Sequence, residues 1–363
     1  MTAVSKLQVE SALKEVIDPY LHQDLVSANV VKNITIDGGN VVVDVTLGYP
    51  AKGWGHELSD KLKQKLDALA GVDAATVNIG SKVATHAVQQ GVKPLEGVKN
   101  MIAVASGKGG VGKSTVAANL ALALSAEGAT AGVLDADIYG PSQPRMLGVK
   151  TKPHSKDGRS IEPIRSYHLQ TMSIGFLIEE ETPMIWRGPM VTQALEQLLR
   201  DTRWADVDYL VIDLPPGTGD IQLTLAQKVP VSGAVVITTP QDIALLDARK
   251  GLKMFEKVDV PVLGVIENMS THICSQCGHE EHIFGEGGGK RMAEQYDIEL
   301  LGSIPLDIRI REETDGGRPT VVADPDSRIG QIFRDIARRV AAKLSLRKKD
   351  YTAAFPNIVI QNT

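Results

Sequence analysis

Glycines and lysines are concentrated in residues 105–115, which read ASGKGGVGKST between an apolar run and a helix-forming run. Gly107, Gly112, Lys113 and Ser114 satisfy the pattern G-x-x-x-x-G-K-[ST], and a strand before it with a helix after it is the context that makes this pattern bind phosphate. Glycines let backbone N–H groups converge on a phosphate, and the start of the helix adds positive partial charge there. The stretch therefore predicts a nucleoside triphosphate site.

The side chains of this P-loop have separate expected roles. Lys113 is expected to reach the outer phosphates, and the Ser114 hydroxyl is expected to bind Mg²⁺. The predicted nucleotide-binding residues of the loop are Gly107, Lys108, Gly109, Gly110, Val111, Gly112, Lys113, Ser114 and Thr115.

Acidic residues follow two further apolar runs, at points where parallel strands would end. Asp135 and Asp137 follow one run, and Asp213 follows another. An apolar strand that ends in Asp has the Walker B form, so Asp213 is expected to hold Mg²⁺ through a water. Gly217, in the loop that follows Asp213, fits a switch-type loop in which a backbone N–H can sense the γ-phosphate. A lone strand-end Asp is often only a helix N-cap, but the P-loop favours the functional interpretation.

Both cysteines of the chain, Cys274 and Cys277, lie in one C-x-x-C. Two cysteines provide no disulfide scaffold, which indicates a reducing, cytoplasmic location. The polar character of the loop argues against two buried structural cysteines. Its position also argues against a thioredoxin-like redox pair, because such a pair usually precedes a helix directly. Zinc binding is an alternative because His272, His279 and His282 are close in sequence, although the spacing is too tight for a zinc finger. We favour solvated histidines over ligating ones.

An iron–sulfur cluster is the third interpretation of the thiol pair. A cubane cluster requires four thiolates, and one chain offers two. Two chains related by a two-fold axis would offer four.

The remaining pattern predicts an α/β fold with a doubly wound, mostly parallel sheet, because its apolar runs are continuous rather than alternating. Ligands of such a sheet bind at the carboxyl ends of its strands. The predicted strands are 101–105, 131–134, 209–212, 234–237 and 262–266, with helices over 191–199 and 245–255.

Residues 1–80 predict a separate, small α+β domain in the order α-β-β-α-β, with its helices on one side of a mixed sheet. The patterns are a helical face of Leu7, Leu13, Val16 and Ile17, a hairpin over 30–36 and 41–47, a leucine repeat at 58, 62, 66 and 69, and a strand over 75–79. Residues 81–99 are predicted to be a linker, 100–350 the P-loop domain and 351–363 a tail.

Composition limits the partners of the chain. Its 363 residues carry a net charge of -5 with a pI near 5.9, which argues against a nucleic-acid partner. The sequence has neither an apolar run long enough to span a membrane nor a signal-peptide core at its start. The apolar face of the last predicted helix is expected to pack on the sheet rather than bind a membrane. That face comprises Ile329, Ile332, Phe333, Ile336 and Val340.

The second lysine of the loop, Lys108, resembles the deviant Walker A of the ParA/MinD branch. Together with DADIYGPS, DLPPGTGD, ENMS and the late C-x-x-C, the chain resembles the Mrp/ApbC family of iron–sulfur cluster carriers. The resemblance implies a slow ATPase in which Asp137 positions the attacking water, Lys108 contacts phosphate across a homodimer, and Asn268 reads adenine. It also implies a labile 4Fe–4S cluster on Cys274 and Cys277 of both chains, passed to apo-proteins.

The N-terminal domain resembles the small domain of several iron–sulfur assembly factors. Many of those carry a cysteine after the second strand, whereas residues 49–53 here contain none. We therefore expect this domain to dock a partner, such as a cluster assembly scaffold, rather than to ligate metal.

Three other functions remain open at this point. The first is a positioning ATPase on membrane or DNA, which the C-x-x-C and the N-terminal domain disfavour. The second is an ATP-driven reductase resembling the nitrogenase iron protein, whose cysteines are far apart in sequence. The third is a zinc-bearing ATPase. Arg187 has no assigned mechanism.

Overall fold

The structure is a computed structural model that describes residues 4–177, 188–274 and 276–350. Predictions on Arg187 and on the tail at 351–363 lie outside these residues. The helices are α1 (Lys6–Lys14), α2 (Gly55–Asp67), α3 (Lys113–Ala126), α4 (Gln143–Met146), α5 (Gly188–Asp201), α6 (Asp220–Lys228), α7 (Asp242–Lys257), α8 (Gly288–Tyr296), α9 (Ile308–Asp315), α10 (Thr320–Ala323) and α11 (Arg328–Ser345).

The strands, numbered in the same way, form a two-stranded ribbon, a three-stranded sheet and a nine-stranded sheet within the described residues. They are β1 (Ile17–Asp18), β2 (Gln23–Asp24), β3 (Val31–Asp37), β4 (Asn40–Leu47), β5 (Ala74–Ser81), β6 (Val98–Ser106), β7 (Ala131–Asp135), β8 (Ile164–Ser166), β9 (Leu169–Ser173), β10 (Val207–Asp213), β11 (Gly233–Thr238), β12 (Val262–Ile273), β13 (Glu280–Glu281) and β14 (Leu300–Leu306).

The small sheet has the predicted mixed form, since β3 and β4 are antiparallel and β5 runs parallel to β4. Alternate residues of β4, from Val41 to Leu47, are buried as their pattern predicts. The helical face proposed before Pro19 is wrong in part. Leu7 is 74% exposed, and Ile17 is 57% exposed in strand β1. A capping box at Ser5 starts α1, whose buried residues are Val9, Ala12 and Leu13, so the prediction is confirmed for Leu13.

The large sheet has the order β13-β12-β11-β6-β10-β7-β9-β8, and β14 pairs with β12. Neighbouring strands in the centre of this sheet are parallel, and antiparallel pairs occur at β8–β9 and β12–β13. Successive residues of β6 face opposite sides: Ile102 and Val104 pack in one apolar cluster, and Met101 and Ala103 in another. Both faces of the sheet are therefore covered, which confirms the doubly wound prediction.

The last helix packs on the protein, as predicted. Ile329, Phe333, Ile336 and Val340 of α11 are buried in the cluster that also contains residues of α3 and β14. Among the helices of the described residues, none is long and apolar enough to cross a membrane.

The segment between the two sheets is held in place by side chains, although it contains neither helix nor strand between β5 and β6. Gln89 is buried, and its amide bonds to the backbone of Ala226, Val229 and Val231 at 2.6–2.9 Å. The connection is thus anchored to the end of α6 rather than free.

A buried ion cluster joins the N-terminal domain to the far end of α3. The Glu127 carboxylate lies 2.7 Å from Arg334 Nε and 3.1 Å from Arg338 Nη2, and it accepts the Gly53 N–H over 2.9 Å. Arg338 also donates to the Tyr20 hydroxyl over 2.6 Å. The helix that begins at the P-loop therefore ends against the small domain.

Candidate functional site

The P-loop joins β6 to α3 at the carboxyl edge of the large sheet, where the predicted strand–turn–helix context is present. Gly112 caps the helix with a φ of +82°, a left-handed conformation that favours glycine. A Cβ on Gly107 would collide with the backbone of Asp247 in α7. Backbone shape and close packing thus both require glycine, while the Val111 side chain anchors the loop in the core.

Lys113 lies in a buried group of carboxylates. Its Nζ contacts the Asp213 carboxylate, lies 3.8 Å from Asp137 Oδ2, and donates to Ser114 Oγ over 3.2 Å. Lys113 is 6% exposed, and Asp213 is fully buried at the end of β10. The structure therefore brings together residues that were predicted from three separate motifs.

Asp137 lies at the rim of this group. Burial raises its pKa, the positive charge of Lys113 opposes that rise, and Asp213 reinforces it. Its carboxylate and that of Asp213 face one lysine, so the buried charge is negative and fits a divalent cation.

Asp135 has a structural role that the sequence patterns did not assign. Its Oδ1 accepts the Asp137 N–H over 3.1 Å, and its Oδ2 accepts the N–H groups of Ser142 and Gln143 over 3.0 and 3.1 Å and the Ser173 hydroxyl over 3.0 Å. Burial and the nearby Asp213 raise its pKa to about 7, and the hydrogen bonds from Gln143 and Ser173 oppose the rise. Asp135 closes the loop that follows β7.

Lys108 stays outside the buried group of its own chain. Its Nζ lies 3.5 Å from Gln241 Oε1, just before α7, and its side chain is partly buried. Thr115, also partly buried, accepts the Asn119 amide on its backbone oxygen over 3.0 Å. Gly109 and Gly110 are exposed on the loop.

Asn268 and Gly217 both contact the P-loop segment. The Asn268 amide donates to the Val111 carbonyl over 2.8 Å, and the Gly217 N–H donates to the Ser106 carbonyl over 2.9 Å. Asn268 belongs to β12, and its contact ties that strand to the P-loop. Its predicted adenine contact stays a prediction.

The C-x-x-C forms the tip of a hairpin between β12 and β13. Cys274 donates its N–H to the His279 carbonyl and accepts the Gly278 N–H, each over 2.9 Å. Cys277 is exposed and Cys274 is partly exposed. Hydrogen bonds from the backbone of Cys277 and Gln276 lower the pKa of the Cys274 thiol. The turn therefore favours the thiolate, the form that binds metal.

The three nearby histidines have other neighbours. Nδ1 of His272 lies 3.1 Å from the Leu306 carbonyl, and Nδ1 of His282 lies 3.3 Å from the Ser270 carbonyl. His279 Nε2 lies 3.7 Å from a Glu281 oxygen. In the described part of the chain, no three His, Cys, Asp or Glu side chains are grouped to hold a metal ion.

Comparison with known families identifies the chain. The model of the NUBPL iron-transfer P-loop NTPase matches residues 97–341. The chain belongs to this family. A second model, that of an iron–sulfur cluster assembly protein, matches residues 6–79. The resemblance inferred from the motifs is confirmed.

Relatives in the family match over most of their length. An iron–sulfur cluster carrier protein of Pseudomonas fragi is 59% identical over 278 residues, covering 76% of this chain and 97% of the relative. That of Escherichia coli K12 is 50% identical over 340 residues, covering 93% and 92%. A mouse iron–sulfur cluster transfer protein, NUBPL, is 44% identical over 320 residues, covering 86% and 95%.

Solved structures match the P-loop NTPase fold of the family. A nucleotide-binding protein from Archaeoglobus fulgidus, in complex with ADP, is 37% identical with a TM-score of 0.57, covering 66% of this chain and 93% of that one. The cell division ATPase MinD of Pyrococcus furiosus has a TM-score of 0.51 at 22% identity, covering 66% and 98%, and supports the fold alone.

Proposed function

We propose that the chain is an ATP-binding and ATP-hydrolysing carrier that holds a labile 4Fe–4S cluster between two copies and passes it to apo-proteins. The curated relatives from Pseudomonas fragi and Escherichia coli are named as cluster carriers. The observation that carries the proposal for this chain is the hairpin tip, which presents two thiols and no third ligand among the described residues.

The thiol pair is half of a cubane ligand set. Four thiolates hold such a cluster, so a two-fold dimer of this chain supplies the complete set from Cys274 and Cys277 of each copy. Exposure at the tip lets a second hairpin approach. The cluster is cargo in this scheme.

Transfer is then an exchange of thiolates. Each iron–sulfur bond to the carrier breaks as a bond to a client thiolate forms, and the charge and oxidation state of the cluster are unchanged. The backbone hydrogen bonds to Cys274 stabilise the departing thiolate. A ligand that leaves as a stabilised anion suits a carrier better than a permanent holder.

The P-loop edge binds ATP in this proposal. Lys113, the loop amides and the start of α3 contact the phosphates, with Ser114 and Asp213 holding Mg²⁺. When bound, Mg²⁺ would supply charge neutralisation at the phosphates. Asp137 orients the attacking water by accepting its hydrogen bond, and Lys108 of a second copy adds positive charge against the γ-phosphate.

Strand β12 connects the two sites. Asn268 contacts the P-loop, and Cys274 directly follows the end of the same strand. A shift of the P-loop on nucleotide binding would therefore move the hairpin. Such coupling is reciprocal, so cluster loading changes the affinity for nucleotide. Equal ATP and ADP affinities in cluster-free and loaded protein would rule it out.

The domains are 1–80, a connection over 81–99, the ATPase domain over 100–350 and a tail over 351–363. The N-terminal domain docks an assembly scaffold, and the protein acts in the cytoplasm, away from membrane and nucleic acid.

Anaerobic reconstitution with iron and sulfide tests the proposal. Wild type is expected to gain a cluster chromophore and elute as a dimer, with about four iron atoms per dimer as a cubane requires. Cys274→Ala and Cys277→Ala are each expected to lose the chromophore while keeping ATP binding. A loaded monomer, or zinc as the only metal bound, would contradict the proposal.

A further inference from the structure

Gln143, the first residue of α4, contacts both residues assigned to Mg²⁺. Its side-chain Nε2 donates to Asp213 Oδ2 over 2.9 Å and to the Ser114 carbonyl over 3.0 Å. Gln143 is 1% exposed. One amide thus bridges the strand-end carboxylate of β10 and the first turn of α3.

The two neighbours determine which way the amide points. Both are acceptors, so the nitrogen must face them; the opposite orientation would oppose oxygen lone pairs. Oε1 of Gln143 is consequently directed elsewhere. It is buried and has no hydrogen-bond partner among the described residues. A buried acceptor in this state calls for a donor that the protein does not supply.

The backbone beneath the amide is held firmly. Asp135 accepts the Gln143 N–H over 3.1 Å and the preceding Ser142 N–H over 3.0 Å, and the Ser173 hydroxyl donates to the same carboxylate oxygen. A buried carboxylate therefore fixes the start of α4 and, with it, the position of the Gln143 side chain. The unpartnered Oε1 therefore belongs to a residue whose backbone is held by hydrogen bonds.

We propose that Gln143 is a positioning residue of the magnesium–nucleotide site, which orients Asp213 through Nε2 and accepts a hydrogen bond from a cation-bound water through Oε1. The inference rests on the ATP binding proposed above. Mg²⁺ keeps several of its waters in nucleotide sites, and those waters are hydrogen-bond donors. Gln143 touches Asp213 and the residue that carries the Ser114 hydroxyl, so it lies beside the expected cation position.

The test compares wild type with Gln143→Met, which keeps the length of the side chain but lacks both polar groups. ATP affinity is measured by titration of a fluorescent analogue with Mg²⁺ and with EDTA. Without the cation the two proteins are expected to agree within about twofold, and the gain in affinity on adding Mg²⁺ is expected to fall about tenfold in the variant, as for loss of a hydrogen bond to a charged group. Binding of Mn²⁺ in the presence of ATP, followed by electron paramagnetic resonance, should weaken in parallel.

Two further variants separate the amide's role from packing. Gln143→Asn keeps both amide groups but sets them back by one methylene, so its gain from Mg²⁺ is expected to lie between those of wild type and Gln143→Met. Ser173→Ala removes one hydrogen bond to Asp135 but leaves the amide intact, so it is expected to keep the wild-type gain.

Three results would overturn the inference: an unchanged gain in Gln143→Met, an equal loss with and without Mg²⁺, or a gain in Gln143→Asn equal to that of wild type. If Gln143→Met does not fold, a reduced gain in Gln143→Asn with unchanged affinity in EDTA supports the inference, and the wild-type gain in that variant overturns it. Failure of the proposed function looks different, because wild type itself would then bind no ATP.

Discussion

The carboxyl edge of the large sheet at the P-loop (the nucleotide edge) and the C-x-x-C turn between β12 and β13 (the thiol hairpin) belong to one sheet but differ in burial. At the nucleotide edge, Lys113, Asp213 and Asp135 are buried and bonded to one another or to nearby backbone. At the hairpin, Cys274 and Cys277 reach solvent at a turn held by backbone hydrogen bonds. A buried polar group must be satisfied within the fold, whereas an exposed ligand can wait for a partner. In the proposed function, one site is therefore preformed and the other is completed by a second copy.

Removing the P-loop lysine should separate the two sites most sharply. Lys113→Ala is expected to weaken ATP binding by about a hundredfold or more, because a charge-assisted contact to phosphate is lost from a buried site. Loading of the cluster on the thiols should persist. Nucleotide titration and the iron–sulfide chromophore are measured on one preparation. Equal loss of both would show that the hairpin depends on the nucleotide edge.

Lys108 tests whether the nucleotide edge also needs a second copy. Lys108→Ala is expected to leave ATP affinity within a fewfold of wild type and to slow hydrolysis by about a hundredfold or more, as removal of an arginine finger does. Single-turnover hydrolysis measures the effect. Adding a hydrolysis-dead partner that still carries Lys108, such as Asp137→Ala, should restore turnover. No restoration would place Lys108 in its own chain's site.

Folding stability should distinguish the buried site from the exposed one. Asp135→Ala is expected to lower the free energy of unfolding by about 2–4 kcal/mol, because buried N–H and O–H donors lose their acceptor. Cys277→Ala, the matched change at the exposed site, should stay within about 0.5 kcal/mol of wild type. Urea denaturation measures both. Similar losses in the two variants would contradict the contrast.

Two glycines with similar backbone conformations give the finest comparison. Gly278, at the hairpin, has a φ of +73° with open space where a Cβ would lie, so Gly278→Ala should cost only about 1 kcal/mol of backbone strain. Gly112, with a φ of +82°, has the Asn268 amide at that point. Gly112→Ala should therefore cost more and also weaken ATP binding. Thermal unfolding and nucleotide titration measure both variants, and a cost at Gly278 equal to that at Gly112 would show that crowding is unimportant.

The large domain was predictable because its signals are local. Continuous apolar runs marked β6, β7, β10, β11 and β12, and each of these strands contains the corresponding predicted one. Motif residues at the ends of parallel strands had to meet at one edge of the sheet. The contacts of Lys113 with Asp137 and Asp213 follow from that rule.

The prediction from sequence was less accurate where the residue pattern was compatible with more than one structure. Leu7 fits a helical face, but the cap at Ser5 and the end of α1 at Lys14 leave it in solvent. The connection after β5 has a linker's composition, yet Gln89 fastens it to α6. Amino-acid composition reflects local conformational preference. It does not show whether a distant part of the backbone will offer a hydrogen-bond partner.

By itself, the sequence determined the fold class, the P-loop and the thiol pair, because each depends on residues close together in the chain. Only the tertiary structure decided that Asp135 closes a loop, that Gln143 bridges Ser114 and Asp213, and that Glu127 binds Arg334 and Arg338. The bridge and the ion cluster join residues far apart in sequence, and the Asp135 loop depends on burial and on Ser173 from another strand. The energy of a buried polar contact depends on which strands and helices become neighbours, and that is fixed only when the chain packs.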